Sequence, residues 1–355
     1  MTTIWSPIKL GNMQLPHRLA MAPMTRSRAK LDGTPGDLAP DYYAQRATMG
    51  LLITEGTQPS EDGQGYLATP GVYTDEHVAG WRKVTNAVHA AGGRLFVQLM
   101  HVGRMAHPDN TPHHRQPVAP SAIAPGVDMF TLKGMQPIPQ PRELTTDEVR
   151  QTVADFAHAA RRAVEAGADG VEVHGANGYL VHQFLAPNAN HRTDAYGGSM
   201  ENRARFAIEV VRAIADAIGP EKTAIRLSPG IPTNGIAEGQ DNDDLYRHLA
   251  QEFDKMSLAY VHVLYVRSDP LLADIRKTFG GALIVNRPGR AREQIGSDVA
   301  AGLADIEALG VMALANPDLV HRLKTGAPFN EVRTALFYAG GGAEGYTDYP
   351  FTDQA

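Results

Sequence analysis

His174, Asn177 and Tyr179 are the residues of this chain best suited to handle an oxygen-bearing substrate. His174 and Asn177 stand three positions apart across a glycine-containing turn, a spacing at which both can aim N–H donors at one oxygen. Tyr179, two residues further, brings a weakly acidic O–H from another side. Neutral donors beside a proton donor stabilise negative charge developing on an oxygen, and that is the chemistry expected here. No close pair of carboxylates accompanies them, so two-carboxylate glycoside cleavage is poorly supported. A single His without carboxylate partners makes no metal site, and no metal is expected.

Such side chains need a rigid platform. Residues 170–174 form a short apolar, β-branched run after the Gly167 and Gly170 punctuation, which reads as a strand with the three residues in the turn beyond it. Further strands are expected at 18–21, 51–55 (LLITE), 94–99 (RLFVQL), 224–227 (AIRL), 260–264 (YVHVL), 283–285 and 305–309. Helices are expected at 41–49, 75–91, 145–166, 201–218, 243–256, 291–302 and 317–324. The third of these opens on a capping-box pattern, Thr145-Thr-Asp-Glu148. Strands alternating with helices imply a parallel α/β sheet, and eight repeats in about 300 residues fit a closed (β/α)8 TIM barrel better than a doubly wound sheet. The reading is a single barrel domain over 1–355, with no linker to divide it. One long insertion, 101–144, is Pro-rich, follows the third strand, and reads as a lid subdomain over one end. Strand C-terminal ends share one face of a barrel, which gathers Thr25, Gly56, Gln98, His174, Asn177, Tyr179 and Arg226.

Composition narrows the function classes. The 355 residues are 43% hydrophobic and 20% charged, ordinary for a soluble protein. A net charge of −6 argues against a nucleic-acid partner. The absence of cysteine excludes disulfides, thiolate catalysis and Cys-ligated clusters. The opening MTTIWSPIKLG has neither a basic nor an apolar leader region, and no apolar run reaches bilayer length, so a cytoplasmic address without membrane contact is expected. Gly63-Gln-Gly65 imitates a dinucleotide fingerprint but opens no helix and reads as a turn. His101, His107, His113 and His114 read as a solvated loop. The tail GGGAEGYTDYPF reads either as flexible or as packing at a subunit edge, in a monomer or homodimer.

The segment HGANGYLVHQFLAPNANHRTDAYGGSMENRARF, with MAPMTRSRA, LLITEGTQPSEDGQGY, FVQLMHVGR, IRLSP and LANPDLVHRLKTGAP, resembles the Old Yellow Enzyme family of FMN-dependent ene-reductases from Ser6 to about Phe351. The resemblance implies FMN across the strand C-terminal face. Reduced nicotinamide, NAD(P)H, would give hydride to the flavin, which passes it to the β-carbon of an activated alkene such as an enone or nitroalkene. It implies that His174 and Asn177 hold the substrate oxygen and that Tyr179 protonates the α-carbon. Pro23, Met24, Thr25, Gly56, Gln98, Arg226, Arg287 and Gly310 would surround the cofactor. Among them Thr25 would meet a flavin carbonyl, and Gln98 and Arg226 the pyrimidine side, where a cation stabilises the anionic reduced ring. Tyr66, Met100 and Tyr338 would line the substrate or cofactor edge.

The family pattern is broken at one place. Two small residues, commonly Gly-Gly, usually follow strand seven and hold the FMN phosphate through backbone N–H groups; here the chain reads Asn286-Arg287-Pro288-Gly289. Pro288 has no N–H, and Arg287 puts a long side chain where close approach is expected. After strand eight the usual Gly-Arg is Gly310-Val311, which removes a charge-assisted pair of roughly 1.5–3 kcal/mol. Arg287 is itself able to clamp a phosphate bidentately. Two alternatives to the ene-reductase stay open: a flavin-free descendant using His174, Asn177 and Tyr179 for carbonyl-polarising isomerisation or cyclisation, and a non-catalytic small-molecule binder.

Overall fold

The computed structural model describes residues 2–267, 270–338 and 341–352. The chain begins with a hairpin, β1 (Ile8–Leu10) and β2 (Met13–Leu15), then enters β3 (Leu19–Met21). The next units are α1 (Ala39–Ala44), β4 (Leu51–Ile53), α2 (Asp75–Ala90) and β5 (Leu95–Leu99). The insertion then carries β6 (Val118–Ala119), β7 (Asp128–Thr131), β8 (Gly134–Pro137) and β9 (Arg142–Glu143). It leads into α3 (Thr146–Glu165), β10 (Gly170–Gly175), α4 (Leu180–Leu185), α5 (Met200–Ile218) and β11 (Thr223–Leu227). The remainder is α6 (Asn242–Asp254), β12 (Tyr260–Leu264), α7 (Leu271–Thr278), β13 (Ala282–Asn286), α8 (Ser297–Ala300), β14 (Ile306–Leu309), α9 (Val311–Ala315) and α10 (Leu319–Thr325).

β3, β4, β5, β10, β11, β12, β13 and β14 pair in parallel and close into one barrel, as expected from the eight repeats. Alternate residues of each strand face inward, and the interior is layered accordingly. The lower layer is apolar, with Phe96, Ala224, Tyr260, Ile284 and Ile306, and Leu10 and Leu15 of the hairpin pack into the same cluster. Two residues further along four of these strands the inward positions turn polar: Gln98, Arg226, His262 and Asn286, all buried. A side chain at Gly170 would place its Cβ 2.4 Å from Phe96, so the strand that delivers His174 must begin with glycine. Outside, Val78, Trp81, Val84 and Val88 of α2 are buried in the main core, as their spacing requires.

Several elements depart from the sequence expectation. The helix expected at 291–302 is a 3-10 turn at Arg292–Gln294 followed by the four-residue α8, because Gly296 adopts a left-handed conformation and the Glu307 carboxylate takes the N–H groups of Gly296 and Asp298. The expected helix at 41–49 stops at Ala44 and continues as single turns, Arg46 bonding Tyr43 and Ala47 bonding Ala44. α7 follows Pro270 and is only eight residues long, too short for its apolar stripe to stand out. The hairpin, α4 and α9 are likewise too short to register as periodic patterns.

His101 is not solvated: it is 2% exposed, its Nδ1 accepts the Gly103 N–H, and burial lowers its pKa to about 4. The tail is anchored on its own barrel through two aromatic side chains. Tyr346 stacks on Tyr42 at 4.2 Å, and Tyr346 and Tyr349 are buried against their own barrel; Gly340 lies outside the described residues. No helix among the described residues is long and apolar enough to cross a membrane.

Candidate active site

At the end of β10 the chain turns through two consecutive left-handed residues, Asn177 (φ 57°) and Gly178 (φ 79°). Asparagine is among the few side chains that tolerate this conformation. The turn is pinned from three sides. Asn177 N–H donates to Ser228 Oγ at 2.9 Å, Asn234 Nδ2 donates to the Asn177 carbonyl at 2.7 Å, and Gly178 N–H donates to His182 Nδ1 at 3.1 Å. The Asn177 side-chain amide makes no hydrogen bond among the described residues, whereas its backbone is fully committed. Tyr179 caps α4 and sets its ring edge-on to His174, centroids 4.8 Å apart at 84°.

His174 Nδ1 accepts the Ala176 N–H at 3.3 Å, so the neutral ring carries its proton on Nε2. Burial, then the charge of Arg226, pushes the imidazole well below its ordinary pKa, so at neutral pH the ring is an uncharged donor. Burial, reinforced by Tyr66, pushes the Tyr179 phenol well above its usual range and keeps it protonated. Its hydroxyl donates to Tyr66 at 3.2 Å. His174, Tyr179 and Tyr66 therefore meet in space as the sequence suggested, with Asn177 in the adjoining turn.

The polar layer inside the barrel forms a second constellation. Gln98 Nε2 donates to Glu172 Oε1 at 2.8 Å, and Glu172 Oε2 lies 2.9 Å from His262 Nδ1. Arg226 donates to Asn286 Oδ1 at 2.9 Å, while its buried Nε has no partner. Gln98 thus keeps its carbonyl oxygen without a partner among the described residues, on the same inward-facing layer as a guanidinium with a donor to spare. An acceptor together with a cationic donor suits the N–H and carbonyl edge of a flavin pyrimidine, so the residues present fit the ring of FMN. Sequence reading named Gln98 and Arg226 but missed Glu172, His262 and Asn286. The signal was available, since each stands at an inward-facing position of its strand.

A cavity of about 530 Å³ opens beside these groups, and Thr25, Tyr66, Tyr179 and Tyr338 are in its wall. Ser27, Asn234 and, from the insertion, Met129 and Phe130 also line it, none of them foreseen. Met100 is not part of this wall: it is 2% exposed and packs over Gly56, where an added Cβ would sit 2.4 Å from its sulfur. Pro23 is buried, Met24 half-buried, and Met24 sulfur would lie 3.0 Å from a Cβ placed on Gly310. The loop bearing these residues is held by Glu55, which accepts the Arg26 N–H at 2.9 Å; burial raises this carboxyl to about pKa 7.

Arg287 does not offer its fork to the barrel mouth. Its Nε and Nη2 grip the two oxygens of Asp298 at 2.8 and 3.0 Å. The phosphate clamp expected of it therefore has an internal carboxylate as partner instead.

Comparison with known proteins agrees with this geometry. The pattern of the NADH:flavin oxidoreductase / NADH oxidase family matches residues 3–330. The chain is 40% identical to 12-oxophytodienoate reductase 1 of Oryza sativa subsp. japonica, over 98% of this chain and 93% of the relative. It is also 40% identical to chanoclavine-I aldehyde reductase of Penicillium roqueforti, over 99% and 97%. Morphinone reductase, solved in complex with tetrahydroNAD, superposes with a TM-score of 0.95 at 43% identity, covering 99% of this chain and 98% of that one. The old yellow enzyme homologue of Zymomonas mobilis gives 0.94 at 36% identity, over 98% and 99%. The chain belongs to the NADH:flavin oxidoreductase / NADH oxidase family and within it to the Old Yellow Enzymes, and it is an oxidoreductase with FMN as cofactor and NAD(P)H as co-substrate.

Proposed function

We propose that this enzyme reduces the activated C=C bond of a small enone or nitroalkene, with His174 and Asn177 as oxygen holders and Tyr179 as proton donor. The observation that carries the reading is the His174–Tyr179 pair. An imidazole with its proton on Nε2 lies edge-on, 4.8 Å from a phenol held in its protonated form. Relatives whose names describe reduction of 12-oxophytodienoate and morphinone favour the same substrate class.

When bound, FMN supplies a two-electron carrier between reduced nicotinamide and alkene. The chain supplies everything else. His174 Nε2–H and the uncommitted Asn177 amide grip the carbonyl or nitro oxygen, and both stay neutral, so they favour the charge that develops there over the ground state. Tyr179 delivers its proton to the α-carbon, and the Tyr66 hydroxyl keeps it oriented. The hairpin of β7 and β8 walls the cavity and acts as the lid, excluding water from the polarised substrate. Gln98 and Arg226 would hold the pyrimidine edge of the cofactor, and Thr25 a ring carbonyl.

The test is anaerobic. Purified protein reconstituted with FMN should lose its visible absorbance on addition of NADPH or NADH and regain it on addition of 2-cyclohexenone, with cyclohexanone as product. Failure of the enone to restore the colour would remove the alkene-reduction reading. Turnover of a conjugated substrate without nicotinamide would favour the flavin-free isomerase instead.

A further inference from the structure

Barrels of this kind hold phosphate in the loops after strands seven and eight, which here follow β13 and β14. β13 ends on Asn286, whose side chain faces inward to Arg226. The next residue must then face the helix layer, and that is where Arg287 meets Asp298. Arg290 also pairs with Asp298 and reaches Glu307 at 2.8 Å. Arg292, the remaining arginine before α8, donates to the carbonyls of Ala327 and Arg322, each at 2.8 Å. Residues 310–318, after β14, contain no Lys or Arg, and Val311 stands 39% exposed where a cation would be useful.

Asp298 and Glu307 are 4% and 1% exposed, so the charges of Arg287 and Arg290 are already matched by two buried carboxylates. Drawing either guanidinium onto a phosphate would leave a buried carboxylate short of a partner, a change that costs as much as it gains. Pro288 offers no N–H to take its place. The ring end of the site is built the opposite way. There Arg226, itself 4% exposed, keeps an Nε, and Gln98 an oxygen, that have no partner among the described residues.

We propose that this enzyme recognises its flavin by the isoalloxazine ring and does not select for the 5′-phosphate, so that riboflavin occupies the site as tightly as FMN. The proposal rests on the family's flavin dependence and adds the chemical class of ligand this chain accepts.

Apo-protein titrated with FMN and with riboflavin, followed by quenching of flavin fluorescence, should give Kd values within about threefold of each other. The FMN value should also hold steady as NaCl rises from low to high concentration. A preference of tenfold or more for FMN overturns the proposal. Asp298→Asn removes the carboxylate that grips Arg287, Arg290 keeping Glu307, and should tighten FMN at least tenfold while leaving riboflavin unchanged. Should that variant lose its fold by circular dichroism, Val311→Arg makes the same test from an exposed position. Equal tightening of both flavins, or of neither, by the folded variant overturns the proposal. Wild-type protein that binds neither flavin refutes the flavin dependence itself, a different result from a strong FMN preference.

Discussion

Gln98 donates its side-chain N–H to Glu172 across 2.8 Å, and that bond decides which end of the amide is left for a ligand. With one N–H of the nitrogen committed to Glu172, the amide oxygen is left as an acceptor for a ligand N–H. Glu172 is completely buried and also faces His262, whose own pKa is lowered by burial. Its carboxylate therefore sits close to Arg226, offsetting the cation that would stabilise an anionic reduced ring.

The consequence is measurable as a flavin midpoint potential. Glu172→Gln keeps an acceptor for Gln98 and removes a negative charge, so the potential should move positive. A tenfold gain in relative affinity for the reduced ring corresponds to about 30 mV for a two-electron couple. Reductive titration against a reference dye reads the shift. An unmoved or more negative value would mean that Glu172 serves packing alone.

Tyr179 and Tyr66 share one hydrogen bond but carry unequal duties. Tyr179→Phe should cut the rate of enone reduction by about 10²–10⁴, the range for loss of a positioned proton donor, with little change in enone Kd. Tyr66→Phe removes only the partner of that hydroxyl, and a loss below about tenfold is expected from one neutral hydrogen bond. Rapid mixing of reduced enzyme with enone separates the two. Near-wild-type rates for Tyr179→Phe would assign the proton to another group.

Much of this was legible in the chain because local signals and fold agree. The 3.6-residue stripe of α2 and the Thr145–Glu148 capping box both appear where their patterns placed them. His174 and Tyr179 were readable as neighbours because only a few residues separate them. Glu172 and Arg290 were harder for a different reason. Their partners, His262 and Glu307, come from distant strands, and only barrel closure brings them within reach. Arg287 shows the limit most clearly: its chemistry suits phosphate, but the competing acceptor, Asp298, lies eleven residues away in a helix whose true start the sequence pattern misplaced.

Glu55 gives the molecule a pH signature. Its folded pKa of about 7 lies above the ordinary 4.5, so the native state binds this proton more tightly than the unfolded chain does. Its contribution to stability is full below pH 4.5 and is lost as pH rises through 7. Glu55→Gln should remove this dependence while still accepting the Arg26 N–H. Relative to the variant, wild type should lose up to about 3 kcal/mol between the two ends of that window. Urea unfolding at pH 5 and pH 8 supplies the comparison, and His101, which titrates in the opposite sense, cancels because both proteins contain it. Parallel behaviour of the two proteins would contradict the assignment.

Tyr346 links the C-terminal tail to the cofactor loop. Its ring is 2% exposed, lies against Tyr42 with an interplanar angle of 11°, and has the guanidinium groups of Arg26 and Arg28 at 5.4 and 4.8 Å. Arg26 in turn donates to the Gly345 carbonyl at 2.7 Å, so the tail and the Pro23–Ser27 loop share one arginine. Tyr346→Ala empties an aromatic site and should cost about 3–5 kcal/mol, whereas Tyr346→Phe keeps the ring and should cost under about 1 kcal/mol. Because Thr25 and Ser27 border the cavity on that loop, the alanine variant should also bind flavin more weakly at temperatures where it remains folded. Denaturant melts and flavin titrations on the same samples measure both effects. A destabilised variant with unchanged flavin affinity would show that the tail supports the barrel without steadying the site.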